Sequence, residues 1–167
     1  MSSTTSAPTA GALVDLSVEP ASPLESAREL AALLEAQSAA NEDGATLAAP
    51  VVAALHEQGL FRLLTPTGFG GSEATVRTAY EVYEEVSRAD GATGWSLMAG
   101  SIYLAVAEGY LPDDGAAALF ADPRAVIAGQ IAPRGVAVAE PLGYRVEGTF
   151  GFASGSTHAH WFYGGCL

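Results

Sequence analysis

The sequence predicts an α+β fold in which a helical part comes first and an antiparallel β part follows. Between Ser22 and about Phe120, apolar residues recur at helical spacing. After Asp122-Pro123 the pattern changes to that of strands, beginning with the uncharged run at residues 125–131. Helices followed by strands are typical of segregated α+β folds. We therefore expect a helical domain over residues 22–122 and part of a β domain over residues 123–167.

Two capping patterns predict where the first two helices begin or end. Ser22-Pro23-Leu24-Glu25 is a capping box with proline at the first helical position, and it predicts a helix that ends near residues 41–44. The second, shorter helix is expected to stop at Gly59, which suits a left-handed cap. Its apolar face consists of Leu47, Val51 and Leu55.

Three further helices are expected before the strands begin. Thr75 is the predicted cap of a third helix, whose inward residues we expect to be Val76, Ala79, Tyr80, Tyr83 and Val86. Its glutamates predict a solvated outer face. A fourth helix, over residues 93–108, is apolar on nearly every side and is expected to be central. Pro112 predicts the start of a short fifth helix that ends near Phe120.

In the β part, residues 136–139 and 144–152 predict two strands joined by the turn Pro141-Leu142-Gly143. Residues 161–167 resemble the middle of a strand that has nothing to pair against. Because an unpaired apolar edge is unfavourable, we expect this chain to be the front part of a longer protein.

The composition excludes several classes of protein. A net charge of -12, with only seven Lys and Arg, argues against a nucleic-acid partner. Residues 1–21 predict a flexible leader without the features of a signal peptide, so a cytoplasmic location is expected. The uncharged apolar stretch at residues 91–107 is too short to span a bilayer. The one cysteine, Cys166, lies in an apolar run and is expected to be a buried, inert thiol.

Residues 144–165 contain the most informative pattern, in which aromatic strands flank the polar corner Ser154-Gly155-Ser156-Thr157. Such a pattern suits the binding of a flat ring system, but it is equally typical of an ordinary β core. His158 and His160 could be metal ligands on one strand face, yet no cysteine or carboxylate pair offers a third ligand, so we expect no metal. His158 is then either a structural histidine or part of a substrate pocket. His56, on the second helix, is expected to be structural.

Three blocks of the sequence, in order, resemble the N-terminal half of the acyl-CoA dehydrogenase superfamily. They are LHEQGLFRLLTP (residues 55–66) with GFGG (68–71), EEVSRAD (84–90) with GWS (94–96), and residues 148–161. The resemblance covers residues 22–167 and is strongest to the branch of flavin-dependent monooxygenases. These enzymes hydroxylate aromatic or polycyclic substrates with reduced flavin and oxygen.

The resemblance also implies which residues contact the flavin. The dehydrogenase pattern G-x-K-x-W-I-T places Phe152 at the flavin-stacking tryptophan and Ser154 at the threonine near flavin N5. In the preceding strand, the pattern T-E-P-x-x-G-S places Gln130 and Ile131 at flavin-contacting positions. The acidic and serine positions of that pattern are not matched here, which favours the monooxygenase branch.

The remaining implications concern chemistry and partners. The cofactor would be FAD or FMN, supplied in reduced form by a flavin reductase, and the substrate a small organic molecule. His158 would be catalytic, as a proton donor or as a stabiliser of the oxygen intermediate, and Trp95 would contact the substrate or belong to the core. The full-length protein would be a homo-oligomer, commonly a tetramer. Two alternatives stay open: an FAD-dependent acyl-CoA dehydrogenase, or a non-catalytic fragment, since the family completes its site with a C-terminal helical bundle absent from this chain.

Overall fold

The structure, a computed structural model, describes residues 21–167. The predicted leader therefore lies, up to residue 20, outside the described part of the chain. In the described part, helices come first and strands second, as predicted. The elements are α1 (Pro23–Gly44), α2 (Ala49–Glu57), the 3-10 turns η1 (Leu60–Arg62) and η2 (Thr67–Phe69), α3 (Val76–Ala89), α4 (Gly91–Tyr110), α5 (Asp113–Phe120), β1 (Ile127–Glu140), β2 (Gly143–Gly148) and β3 (Trp161–Cys166).

The predicted helix caps are present in the structure. The Ser22 hydroxyl accepts a hydrogen bond from the Glu25 amide, and the Glu25 carboxylate accepts one from the Ser22 amide at 2.9 Å. Thr75 caps α3 in the same way by accepting from the Thr78 amide. Gly59 follows α2 with a left-handed φ of 67°, a conformation that glycine adopts without steric cost. These local signals confirm the predicted starts of α1 and α3 and the end of α2.

The buried apolar side chains of the described residues form two clusters. The larger lies among α1–α4 and includes Leu34, Val51, Leu55, Phe61, Val82, Val86 and Leu97. The smaller joins the second half of α4 to α5 and the start of β1, and includes Leu104, Leu119 and Ile127. In α3 the buried stripe consists of Ala79, Val82, Tyr83 and Val86. The prediction that Val76 and Tyr80 face inward is wrong, because Val76 is the first residue of the helix and Tyr80 lies to the side of the stripe. Both side chains are exposed.

Helix α4 is central, as predicted, and contacts α1, α3, η1 and β1. Its buried face includes Thr93, Leu97 and Leu104. The helix is not covered on every side, however, because Trp95 is 60% exposed. No helix within residues 21–167 has both the length and the apolarity that crossing a bilayer requires.

The three strands form a mixed sheet in the order β2-β1-β3. β1 is one continuous strand, whereas the sequence predicted two segments. Its second half pairs antiparallel with β2, and its first half pairs with β3. The α+β class is confirmed, but the expectation of a purely antiparallel sheet is wrong for β3, which runs parallel to β1. Residues 149–160 make the return connection that a parallel pair needs.

Two further strand predictions need correction. Residues 161–167 do have a partner, since β3 pairs with β1 from Ile127 onward. β3 is nevertheless an edge strand, and Phe162 on it is 68% exposed. The second predicted strand covered residues 144–152, but the observed strand β2 already ends at Gly148. Phe152 therefore lies outside the sheet, with a left-handed φ of 55°.

Candidate functional site

A groove of about 480 Å³ lies between the helical layer and the polar corner, taken here as residues 153–158 so that it includes His158. On the helical side its walls come from the α1–α2 connection, including Thr46, and from the first turns of α4, including Trp95. On the other side the polar corner contributes Ser154 and His158. The site is therefore formed by parts of the chain that are distant in sequence.

The polar corner is a pair of tight turns. The Ser156 amide donates to the Ala153 carbonyl at 3.0 Å, and the His158 amide donates to the Gly155 carbonyl at 3.1 Å. Gly155 has a φ of 83°, which favours glycine, and a Cβ built there would lie 3.1 Å from the His158 Nε2 atom. The turn thus brings the backbone close to the imidazole ring of His158.

Two side-chain hydrogen bonds connect the polar corner to the helical layer. The indole Nε1–H of Trp95 donates to the Ser154 Oγ atom at 2.9 Å. The hydroxyls of Thr46 and Thr157 hydrogen-bond to each other. Ser154 is half-buried and lies in the groove. The corner is therefore attached to the helices at two points, on either side of the groove.

The imidazole ring of His158 has no hydrogen-bond partner within the described residues. Both of its ring nitrogens are buried, and its ring packs 5.7 Å from that of Phe61. Burial, assisted by the nearby His160, lowers the pKa of His158, which favours the neutral imidazole. Buried polar atoms without partners are rare in proteins. A neutral ring of this kind can accept from or donate to a ligand in the groove.

A second histidine, His56, packs against the same phenylalanine. The ring of His56 packs 4.7 Å from that of Phe61. Burial is the main cause that lowers the pKa of His56 to about 4, and the positive charges of Arg124 and His160 contribute in the same direction. No group of three metal-ligating side chains that could hold an ion exists among residues 21–167.

The groove walls on the helical side are held by a buried polar network around Asp90. Its carboxylate accepts from the Thr93 amide at 2.8 Å and from the Asn41 Nδ2 atom at 3.0 Å. Asn41 in turn accepts from the Ala48 amide at 2.7 Å through its Oδ1 atom. The network ties the end of α1 and the start of α2 to the start of α4. Sequence reasoning missed this network, although the spacing Asp90-x-x-Thr93 is an N-cap signal.

The structure brings together only part of the predicted site. Trp95, Ser154 and His158 line the groove, whereas Gln130, Ile131 and Phe152 do not. The Gln130 Oε1 atom accepts from the Gly151 amide at 3.0 Å, and Ile131 is exposed. Phe152 is 96% exposed, so its ring covers nothing in the described part of the chain.

A second hollow of about 560 Å³ adjoins the polar corner on the sheet side. It shares Ala153 and Ser156 with the groove and carries the aromatic rings of Phe150, Phe162 and Tyr163. These rings form the apolar surface next to the corner. Phe150 and Phe162 were predicted only as strand residues, and their position beside Ser156 depends on a turn that the sequence does not specify.

Cys166 differs from its prediction. The residue is half-buried, and its Sγ atom lies 3.5 Å from the Gly164 carbonyl oxygen. It is less buried than expected because β3 is an edge strand, whose side chains are only partly covered.

A helical layer followed by a mixed sheet, with a groove at their junction, defines the class of protein as an α+β fold with a cavity between its two layers. The model of the acyl-CoA dehydrogenase N-terminal domain matches residues 24–109, more than half of the chain. The chain therefore belongs to the acyl-CoA dehydrogenase family, which confirms the resemblance seen in its motifs.

Individual relatives specify the branch further. The chain is 34% identical over 112 residues to an indole-3-acetate monooxygenase of Pseudomonas putida, an alignment that covers 65% of this chain and 28% of the relative. It is 30% identical over 135 residues to the oxygenase component of an FADH2-dependent resorcinol hydroxylase of Rhizobium sp., covering 79% of this chain and 32% of the relative. The chain thus spans about a third of the length of these relatives.

Two crystal structures have the same fold. The HsaA monooxygenase of M. tuberculosis superposes with a TM-score of 0.80 at 26% identity, over 86% of this chain and 40% of that one. XiaF from Streptomyces sp., solved with FADH2 and glycerol, superposes with a TM-score of 0.79 at 27% identity, over 84% and 35%. The chain is thus related to oxygenase components of flavin-dependent monooxygenases, over part of their length.

Proposed function

We propose that this chain provides the flavin-contacting part of a flavin-dependent monooxygenase, with the groove at the polar corner as its reaction site. One observation carries the proposal. Ser154 and His158 line the same groove of about 480 Å³, and both ring nitrogens of His158 are buried without a hydrogen-bond partner in the described residues. Sites that bind small molecules combine such a concave surface with a few polar groups.

The residues present fit a flavin. An isoalloxazine has a flat apolar face and an edge of ring nitrogens and carbonyl oxygens. The polar corner has hydroxyl groups that can hydrogen-bond to such an edge. The aromatic rings of Phe150 and Phe162 lie just beyond the corner, where they provide an apolar surface for a flat ring. In the proposal, Ser154 hydrogen-bonds the flavin at N5. Gln130 and Ile131 contact the flavin through their backbone groups.

The cofactor, when bound, supplies the oxygen chemistry, and the protein supplies orientation and protons. In the proposal, His158 accepts a proton in the groove and releases it again once protonated, because burial favours its neutral form at rest. Trp95, which donates a hydrogen bond to Ser154, is proposed to contact the organic substrate. Phe152, with its ring free in the described part of the chain, is proposed to stack on the flavin once the cofactor is bound.

We further propose that the flavin, FAD or FMN, arrives already reduced from a separate reductase and that the organic substrate is aromatic. The relative from Rhizobium sp. is named as the oxygenase component of an FADH2-dependent hydroxylase, which supports a two-component arrangement. Homo-oligomer formation, as a tetramer, belongs to the same proposal. Because the chain spans about a third of its relatives, these statements concern the protein of which this fold is part.

Flavin titration tests the proposal. Oxidised and reduced FMN and FAD are added to the purified chain, and binding is followed by the visible absorbance and the fluorescence of the flavin. We expect Ser154→Ala to weaken binding about tenfold, because it removes one hydrogen bond at a desolvated ring edge. Ser72→Ala, at an exposed serine outside both the groove and the adjoining hollow, is the matched control and should leave binding unchanged.

His158→Gln separates the proton role from simple binding. Glutamine keeps hydrogen-bonding groups but cannot titrate near neutral pH, so flavin binding should persist while turnover in the holoenzyme falls. Absence of flavin binding by the wild-type chain, or equal effects of Ser154→Ala and Ser72→Ala, would contradict the proposed site.

A further inference from the structure

We propose that Trp95 is a positioning residue that orients the Ser154 hydroxyl, so that its proton points into the groove. What that hydroxyl meets rests on the proposed flavin function, but the orientation itself does not. The observation is the hydrogen bond of 2.9 Å from the Trp95 Nε1 atom to the Ser154 Oγ atom, which joins residues 59 positions apart.

The direction of this hydrogen bond is fixed by chemistry. The indole Nε1–H is a donor only, so the Ser154 oxygen must be the acceptor. A serine hydroxyl has one proton and two lone pairs, and the indole occupies one lone pair. The proton of Ser154 therefore remains free to donate. Without Trp95 the same hydroxyl could rotate among its staggered positions.

The two residues differ in how firmly the fold holds them. Trp95 is in the second turn of α4, and the start of that helix is held by the buried network of Asp90, Thr93 and Asn41. Ser154 lies in a turn outside the sheet, where the strand ladder does not hold it. A rigid helix thus positions a residue of a connecting segment. This arrangement suits a group whose hydrogen bond must be aimed accurately.

The orientation selects a class of ligand atom. A hydroxyl that accepts from one group becomes a better donor to the next, because hydrogen bonds in a chain polarise one another. Ser154 is thereby prepared for an acceptor atom, such as an unprotonated ring nitrogen or a carbonyl oxygen of a flat heteroaromatic ligand. The N5 atom of an oxidised flavin is an acceptor of this kind, whereas N5 of a reduced flavin carries a proton and would use the second lone pair of the Ser154 oxygen.

The first test needs no flavin. The chain has two tryptophans, so its two indole N–H resonances can be assigned in a nitrogen–proton NMR spectrum with a Trp161→Phe variant. We expect Ser154→Ala to shift the Trp95 resonance upfield, because the indole proton loses its acceptor. Ser156→Ala should leave that resonance in place. An unchanged Trp95 resonance in Ser154→Ala would overturn the proposed orientation.

The second test measures the coupling to a ligand. Trp95→Phe keeps an aromatic ring on the exposed side of α4 but removes the N–H group, so the fold should tolerate it. We expect it to weaken the binding of oxidised FMN or FAD about fivefold in a chain that contains Ser154. In the Ser154→Ala background the same change should have no effect, since the hydroxyl is gone.

These outcomes separate the two proposals. A shifted Trp95 resonance with no flavin binding by any variant would retain the orienting contact and reject the flavin site. If Trp95→Phe weakened flavin binding by the same factor in the wild type and in Ser154→Ala, Trp95 would contact the ligand directly. That result would overturn its role as a positioning residue.

Discussion

The buried carboxylate of Asp90 should be worth several kcal/mol to the fold, and Asp90→Ala measures it. The carboxylate accepts four hydrogen bonds, from the Thr93 amide and hydroxyl, the Asn41 amide group and the Ser38 hydroxyl. Losing an N-cap costs about 1 kcal/mol. Leaving the buried donors of Asn41 and Thr93 without an acceptor adds about 1–3 kcal/mol. We therefore expect a loss of about 3 kcal/mol in the free energy of unfolding.

Asp90→Asn isolates the contribution of the charge. Asparagine still caps a helix, so it should cost only about half as much as alanine. The difference should also depend on pH. Burial acts to raise the pKa of Asp90, but the hydrogen bonds from Thr93, Ser38 and Asn41 together outweigh it and lower the pKa below the ordinary value of 3.8. The stabilisation is then complete above that ordinary value and is lost as the pH falls through the folded pKa.

Urea unfolding, followed by circular dichroism at neutral and at acidic pH, provides the measurement. Asp113→Asn, in the exposed first turn of α5, is the matched control and should change the free energy of unfolding by less than about 0.5 kcal/mol. Equal stability of Asp90→Asn and wild type at neutral pH would refute the reasoning. So would a difference between them that stays constant down to acid pH.

Two further predictions concern packing and titration. Gly94→Ala should destabilise the fold by about 2 kcal/mol, because the added Cβ would lie 2.8 Å from the Ser87 Cα atom, while Gly91→Ala, in open space, should be tolerated in the same thermal melts. The free energy of unfolding of the wild type should fall as the pH drops from the ordinary histidine pKa of 6.5 to the folded value of about 4, because only the unfolded state takes up a proton at His56 in this range. His56→Gln should remove this pH dependence. The expected difference is about 1–2 kcal/mol after allowance for solvent screening, and unchanged pH profiles would contradict it.

Much of the helical part could be predicted because the ends of its helices depend on local sequence signals. The Ser22 box, the Thr75 cap and the stop at Gly59 each depend on contacts within a few residues, so the sequence alone contains them. The inward face of α3 was less certain, because a stripe of apolar residues can rotate by one position. Tyr80 was predicted inside on periodicity, and only the packing of neighbouring helices excludes it.

The pairing of the strands depends on distant residues and was not predictable in the same way. The sequence indicates that residues 161–166 form a strand, but their parallel partner is Ile127–Gln130, more than thirty positions earlier. Alternating apolar residues identify a strand without specifying its neighbour or its direction. The long connection at residues 149–160 is compatible with either direction, so the antiparallel expectation was wrong for this strand.

The candidate site combines both situations. The polar corner is visible in the sequence, but the flavin contact of Ser154 and the catalytic role of His158 were predicted only through the family resemblance. The hydrogen bonds of the corner to the helical layer were not predicted, because Trp95 of α4 and Thr46 of the α1–α2 connection lie far away in the chain from Ser154 and Thr157. Trp95 was predicted at the site only through the family resemblance, and as a contact of the substrate. Its hydrogen bond to Ser154 became visible only in three dimensions.

This division has a physical reason that bears on function. The residues proposed to act lie in a connecting segment, where the backbone is not held by a strand ladder and can accommodate a ligand closely. Accuracy must then come from outside the segment, and α4 provides it through Trp95. The buried network of Asp90 fixes the start of α4 against α1 and α2. Disruption of Asp90 should therefore reach the Ser154 hydroxyl through the helix, although no atom of Asp90 lines the groove.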